Sequence, residues 1–171
     1  SAAFAVCSYY KENKKMAICT TTTGPGCTNS ITGLAAAWQD SIPSLFISGQ
    51  ARSSQLSIKT KTRQVGTQEI NSIDLVKSIT KYAVTLDKKD NICQVLQNAY
   101  DIALSGRPGP VWIEVPLDLQ LIKVRAKPHK SSEIKFINQK TKAKELKKIP
   151  SLTKMILNSK KPLVVAGNGI I

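Results

Sequence analysis

The residues best suited to chemistry form a short run rich in glycine and small polar groups, Thr23-Gly24-Pro25-Gly26-Cys27-Thr28-Asn29. Glycine has no Cβ, so the backbone here could approach a flat or anionic ligand closely. Pro25 fixes φ and stiffens the turn. Asn29 carries an amide that could bind a ligand or cap the following helix, and the residue type alone does not distinguish these two roles. Alone, the run fits a plain strand-to-helix turn as well as a ligand loop.

The elements on either side of this run favour a ligand site. Met16-Ala17-Ile18-Cys19 is a short apolar segment of strand length. After the run, apolar residues recur at the spacing of one helical face, namely Ile31, Leu34, Ala35 and Trp38. A loop that leaves the carboxyl end of a strand and opens a helix is where open α/β sheets bind ligands.

Strand and helix patterns alternate along most of the chain. Strands are predicted at 16–22, 44–48, 79–85 and 110–116, and helices at 1–13, 28–39, 70–77 and 91–104. Asp90 is the predicted N-cap of the last helix, and Gly106 follows its end. This order predicts an α/β fold, a doubly wound parallel sheet with flanking helices.

The net charge of +14 is concentrated in one tract. Residues 121–161 contain 13 Lys or Arg and two Glu, and so contribute +11. The basic residues of the tract are almost all lysine, and it has a single aromatic and no nucleic-acid-binding motif, which favours a solvated linker over a nucleic-acid binder. No apolar stretch reaches the roughly 18 residues of a membrane span. We therefore expect neither nucleic acid nor membrane as a partner.

The cysteines and the histidine do not form a metal-binding pattern. The four cysteines lack a Cys-x-x-Cys pair, and the only histidine, His129, lies in the basic tract. Free thiols fit a reducing compartment, so we expect a cytoplasmic protein with no metal ligand in this chain.

Several motifs in order resemble the pyrimidine-binding (N-terminal) domain of thiamine diphosphate-dependent enzymes, in the acetolactate synthase-like branch. They are Thr23–Gln50, Gly66-Thr67-Gln68-Glu69, Ser78-Ile79-Thr80-Lys81, and Ser105–Asp118 with its Gly-Arg-Pro-Gly-Pro sequence. Together they cover roughly residues 1–120. Because their order and spacing also match, the resemblance is far more specific than any single motif.

The resemblance implies a cofactor and roles for individual residues. Gly24, Pro25, Gly26 and Asn29 would lie against the aminopyrimidine of thiamine diphosphate. Gln68 would lie near the reacting carbon, where a neutral amide can hydrogen-bond a carbonyl oxygen. Mg²⁺ would be bound through a domain not in this chain, and FAD is a possible further cofactor.

The resemblance also implies that the chain is a fragment. Phe4 matches a phenylalanine five residues after the family's catalytic glutamate, which would stand two residues before Ser1. The expected domains are a pyrimidine-binding domain at 1–122, a basic linker at 123–160, and the first strand of a second α/β domain at 161–171. The isolated chain is therefore expected to be inactive.

The function implied is decarboxylation and carboligation of a 2-oxo acid such as pyruvate, as in branched-chain amino acid biosynthesis, by a homodimer or tetramer. One departure leaves the acceptor open. Thr67 joins Gln68 directly where the family has a further aromatic segment, and Arg52 stands where proline is common. Two alternatives therefore remain: a related decarboxylase or carboligase with a different acceptor, and a non-catalytic α/β assembly module.

Overall fold

The computed structural model describes residues 1–60, 62–88, 90–124 and 148–167. Four strands form a sheet in which each neighbouring pair is parallel: β1 (Ala17–Thr21), β2 (Ser44–Gln50), β3 (Tyr82–Thr85) and β4 (Pro110–Pro116). Their spatial order is β1-β2-β4-β3. The predicted parallel α/β sheet is confirmed.

Helices cover both faces of this sheet. They are α1 (Ala2–Asn13), α2 (Pro25–Thr28), α3 (Ile31–Gln39), α4 (Ser72–Val76), α5 (Ile92–Leu104) and α6 (Leu117–Gln120). A further helix, α7 (Ile149–Asn158), is exposed along its whole length. Residues of α1, α3 and α4 pack into one buried cluster with Phe46 and Trp112 of the sheet. Residues of α5 and α6 pack into a second cluster with Leu45, Val111 and Ile113. Consecutive residues of a strand face opposite sides, so β2 and β4 contribute to both clusters.

The strand register places like residues side by side across the sheet. One row is apolar and consists of Cys19, Phe46, Trp112 and Ala83. The Phe46 and Trp112 rings stack there with centroids 5.8 Å apart. Two residues further along each strand, toward the carboxyl edge, the row is polar and consists of Thr21, Ser48, Glu114 and Thr85. The core is thus apolar at its centre and polar where the strands end.

Two local predictions were wrong in detail. The helix expected at 28–39 is divided into α2 and α3, because the Ser30 hydroxyl donates to the Cys27 carbonyl (2.6 Å) between them. The N-cap of α5 is Asn91, whose side chain accepts from the Gln94 N–H, and not Asp90. The Asp90 carboxylate instead accepts from the Asp87 N–H (2.7 Å).

The carboxyl-terminal part of the chain differs from the expected linker and strand. Helix α7 lies inside the range predicted as a basic linker, of which 125–147 falls outside the described residues. The strand expected to open a second domain is not formed over 161–167, and 168–171 are not described. Leu163, Val164 and Val165 are exposed there, without the neighbouring strand that a strand's hydrogen bonds require.

Candidate functional site

A cleft of about 770 Å³ opens at the carboxyl ends of β1, β2 and β4. Its walls combine polar residues, all neutral except Arg52, with the apolar residues Ile47, Ala51, Val115 and Leu117. They include Thr20, Thr21, Thr22, Thr23, Ser48, Gly49, Gln50, Arg52, Gln55, Thr67 and Gln120. Among the described residues that line it, none is acidic. The position agrees with the rule that parallel sheets bind ligands beyond the carboxyl ends of their strands.

The predicted Gly-Pro-Gly turn borders this cleft directly after Thr23. Gly24 is the N-cap of α2 and has φ +61° and ψ −125°, a region of backbone space that side chains disfavour. Pro25 follows at the first helical position, where its missing N–H costs nothing. The sequence of the turn is thus explained by local backbone geometry before any ligand is considered.

The fold brings Gly24 against Gln68, the other predicted site residue. A Cβ built on Gly24 would lie 2.5 Å from the Gln68 carbonyl oxygen and 2.9 Å from its Cβ. Gln68 itself has φ +56°, which is strained for a residue with a side chain. Its side chain is exposed beside the cleft-lining Thr67. Two motifs that are distant in sequence therefore form one junction.

Gly26 and Asn29 occupy different surroundings. Gly26 lies inside α2, where an added Cβ would meet the Thr22 Cγ2 at 2.3 Å, so it is small in order to pack against β1. Asn29 is the exposed C-cap residue of α2. Its side chain does not cap the helix that follows, since the N-cap of α3 is Ser30 and no side-chain hydrogen bond caps that helix.

Cys27, in the same turn, is a structural thiol. It is 1% exposed, and its Sγ lies 3.1 Å from the Gly24 carbonyl oxygen. Burial, reinforced by the nearby Glu114 carboxylate, raises the pKa of this thiol to about 11. It is protonated at neutral pH, which makes it a poor nucleophile.

Sequence reasoning missed Glu114, a carboxylate buried in the centre of the sheet. It is 3% exposed and accepts hydrogen bonds from Gln50 Nε2 (2.9 Å), Thr85 Oγ1 (2.7 Å) and the Ser72 hydroxyl. Three donors from three segments compensate for its removal from water. A single acid in the otherwise apolar strand Pro110–Pro116 was the signal that could have identified it.

Glu69 anchors the loop that carries Gln68. Its carboxylate accepts from the Ser57 N–H and hydroxyl, both at 2.6 Å, and from the Val65 N–H at 2.9 Å. Burial acts to raise the pKa of Glu69, but these hydrogen bonds outweigh it and lower the pKa. Gly66 packs closely on Ala51 at the end of β2. The loop is therefore fixed on both sides of Thr67.

Asp118 fixes the opposite wall of the cleft and predicts a pH dependence. It accepts from the Ser53 N–H (2.9 Å) and hydroxyl (3.0 Å) and lies 3.4 Å from the Lys88 ammonium. The backbone bond from Ser53 contributes most to lowering its pKa to about 2. Because an unfolded aspartate titrates near pH 3.9, the ionised Asp118 stabilises the fold above about pH 4. That contribution is lost as the pH falls toward 2.

We expect Asp118→Asn to remove this pH-dependent contribution. The difference in the free energy of unfolding between wild type and variant should be constant above about pH 5 and should shrink as the pH falls to about 2. Urea unfolding at several pH values, followed by circular dichroism, measures it. A difference that does not change over that range would contradict the role given to the carboxylate.

A second cavity lies apart from the predicted site residues. The cavity, of about 690 Å³, lies at the opposite edge of the sheet beside Trp38, Lys81 and Arg107 and contains none of the predicted site residues. In the part of the chain that the structure describes, no group of three His, Cys, Asp or Glu could hold a metal ion. Nor is any described helix long and apolar enough to cross a membrane.

Comparison with known proteins finds a similar domain. Residues 1–75 match the family model described as the thiamine pyrophosphate enzyme, N-terminal TPP binding domain. The match includes the Gly-Pro-Gly turn, strands β1 and β2, and Gln68.

Curated relatives match along nearly the whole chain. A probable acetolactate synthase large subunit from Methanococcus aeolicus is 32% identical over 100% of this chain and 28% of its own length. The acetolactate synthase large subunit of Lactococcus lactis is 34% identical over 95% of this chain and 27% of its own length. The large subunit of acetolactate synthase isozyme 2 from Escherichia coli is 30% identical over 99% of this chain and 29% of its own length. The chain thus spans less than a third of the length of each.

Proposed function

We propose, from its similarity to thiamine pyrophosphate enzymes, that this chain forms the wall of a thiamine diphosphate site that faces the aminopyrimidine ring. The observation that carries this proposal is the junction of Gly24 with Gln68 at the carboxyl edge of the sheet. Both residues were candidates from sequence, and they meet beside a cleft of suitable size.

The residues of the cleft suit a neutral heterocycle. Threonine hydroxyls and amides can donate to and accept from ring nitrogens and an amino group. We propose that Mg²⁺ and the diphosphate are bound by another domain.

In this proposal the chain orients the reactants. Thiamine diphosphate, when bound, supplies the electron sink for breaking and forming carbon–carbon bonds next to a carbonyl. Gly24, Pro25, Gly26 and Asn29 form the turn beside the pyrimidine ring. Gln68 donates a hydrogen bond from its side-chain amide to a substrate oxygen on which charge develops, without adding a charge of its own.

For the whole protein we propose an acetolactate synthase-like enzyme that acts on a 2-oxo acid such as pyruvate, in branched-chain amino acid biosynthesis. The named relatives support this. We further propose a homodimer or tetramer in which the site is shared between domains. The four free cysteines, three of them buried, fit a cytoplasmic location.

One observation favours a second candidate, a carboligase with a different acceptor. Arg52 and Thr67, the two positions at which the sequence departs from the family pattern, both line the cleft. A guanidinium in the wall would favour an acceptor that carries an anionic group, because Arg matches carboxylate and phosphate geometry.

The test is turnover by the full-length protein with thiamine diphosphate, Mg²⁺ and pyruvate. We expect carbon dioxide release, with acetolactate as the product by mass spectrometry. The second candidate would be favoured if carbon dioxide is released but no acetolactate forms. It would also require a new product when phosphorylated or carboxylated aldehydes are added. No binding of thiamine diphosphate by calorimetry would overturn the proposal. The visible absorbance spectrum of the purified protein would decide whether FAD is also bound.

A further inference from the structure

The side chain of Gln50, the last residue of β2, uses all of its hydrogen-bonding capacity. Its Oε1 accepts from the Thr23 hydroxyl (3.0 Å) and from the Ala51 N–H (2.8 Å). Its Nε2 donates to the Ile70 carbonyl (2.8 Å) and to Glu114 (2.9 Å). A backbone N–H can only donate and a carbonyl can only accept, so these two partners fix which end of the amide is which. Gln50 is also 5% exposed.

Two of its partners connect it to Gln68 and to the residues that follow. The Thr23 hydroxyl donates to Gln50 Oε1 and is also 3.3 Å from the Gln68 carbonyl oxygen, so it shares its one hydrogen between the two acceptors. Ile70 follows Gln68 by two residues, and Gln50 donates to its carbonyl directly. One buried side chain thus connects β2 to the carbonyl of the positive-φ residue, through Thr23, and to the chain just after it.

Such a connection is needed because the backbone of Gln68 is strained. A non-glycine residue at positive φ costs on the order of 1–3 kcal/mol and persists only where its surroundings impose it. Gly24 leaves room for this conformation. Glu69 anchors the same loop on Ser57 and Val65, and Gln50 binds it to β2. Glu114 in turn orients Gln50.

We propose that Gln50 is a positioning residue, which holds Gln68 in its strained backbone conformation and so aims the Gln68 amide. The inference rests on the role proposed above for Gln68. Gln50 touches no reacting atom in this proposal. Removing it should therefore affect turnover only through Gln68.

The test compares Gln50→Ala with Thr85→Val in the full-length protein, using pyruvate, thiamine diphosphate and Mg²⁺. Thr85 is the matched control because its hydroxyl also binds Glu114 but lies on β3, away from Gln68. Both variants should lower Tm. Only Gln50→Ala should lower kcat, by about 10- to 100-fold, as when a partner that orients a functional group is removed. It alone should speed amide hydrogen exchange over residues 66–70 without cofactor.

A double variant separates failure of this inference from failure of the proposed function. If Gln50 acts through Gln68, adding Gln50→Ala to Gln68→Ala should not lower kcat further. Additive losses, or normal kcat and exchange in Gln50→Ala, would overturn the positioning role. Normal turnover in Gln68→Ala would overturn the role of Gln68 itself. If Gln50→Ala does not fold, Thr23→Val removes the hydroxyl that links Gln50 to the Gln68 carbonyl and leaves the Gln50 bonds to Ile70 and Glu114 in place. Unchanged hydrogen exchange and kcat in that variant would overturn the inference.

Discussion

Gln68→Gly in the full-length protein is expected to lower kcat by about 10²- to 10³-fold while leaving the protein at least as stable as the wild type. The loss in rate follows from removing an amide that stabilises developing charge, and loss of a comparable donor has that effect in other enzymes. The stability follows from φ +56° at Gln68, which glycine adopts without steric cost. Relief of that strain offsets the greater entropy of glycine in the unfolded chain.

Gln68→Ala provides the comparison, because alanine also lacks the amide but keeps the strain. We expect the same fall in kcat with no gain in stability. Gln64→Ala is the control within the same loop, where the side chain binds the Gly66 carbonyl, and it should change kcat less than about twofold. Steady-state kinetics and thermal melts measure both quantities. A wild-type kcat in either Gln68 variant would show that Gln68 does not act in the site.

The second large effect is expected at Gly24. Gly24→Ala would place a Cβ 2.5 Å from the Gln68 carbonyl oxygen, at a backbone conformation that only glycine adopts readily. The strain alone costs about 1–3 kcal/mol, and the clash with backbone atoms adds to it. Since the turn and Gln68 must separate, we expect both lower stability and loss of thiamine diphosphate binding.

Gly49→Ala is the matched control at the same edge of the sheet, since its added Cβ would meet nothing nearer than 3.6 Å. It should leave the free energy of unfolding within about 0.5 kcal/mol of wild type. A thermal melt combined with calorimetric titration of thiamine diphosphate and Mg²⁺ follows both variants. A Gly24→Ala protein with wild-type melting and affinity would show that the junction is not needed.

The identities and approximate limits of most elements could be predicted from sequence because their signals are local. Strand β4 was predicted at its observed limits, since prolines at 110 and 116 bound an apolar run. Helix α5 was predicted to within one residue from its apolar spacing, and Gly106 has the positive φ expected just after its end. The N-cap was misplaced by one residue, because Asp90 and Asn91 are both good capping types and only their surroundings distinguish them.

What the sequence alone determined was the chemistry available: a glycine-bounded turn after a strand, a Gln-Glu pair, and a parallel α/β sheet to carry them. Tertiary structure decided which of these residues meet. Thr23 and Gln68 are 45 positions apart and come together only because the strands take the order β1-β2-β4-β3. That order also builds the polar row containing Glu114 from four separate strands. Local sequence cannot specify register or strand order, since both depend on which apolar faces bury one another.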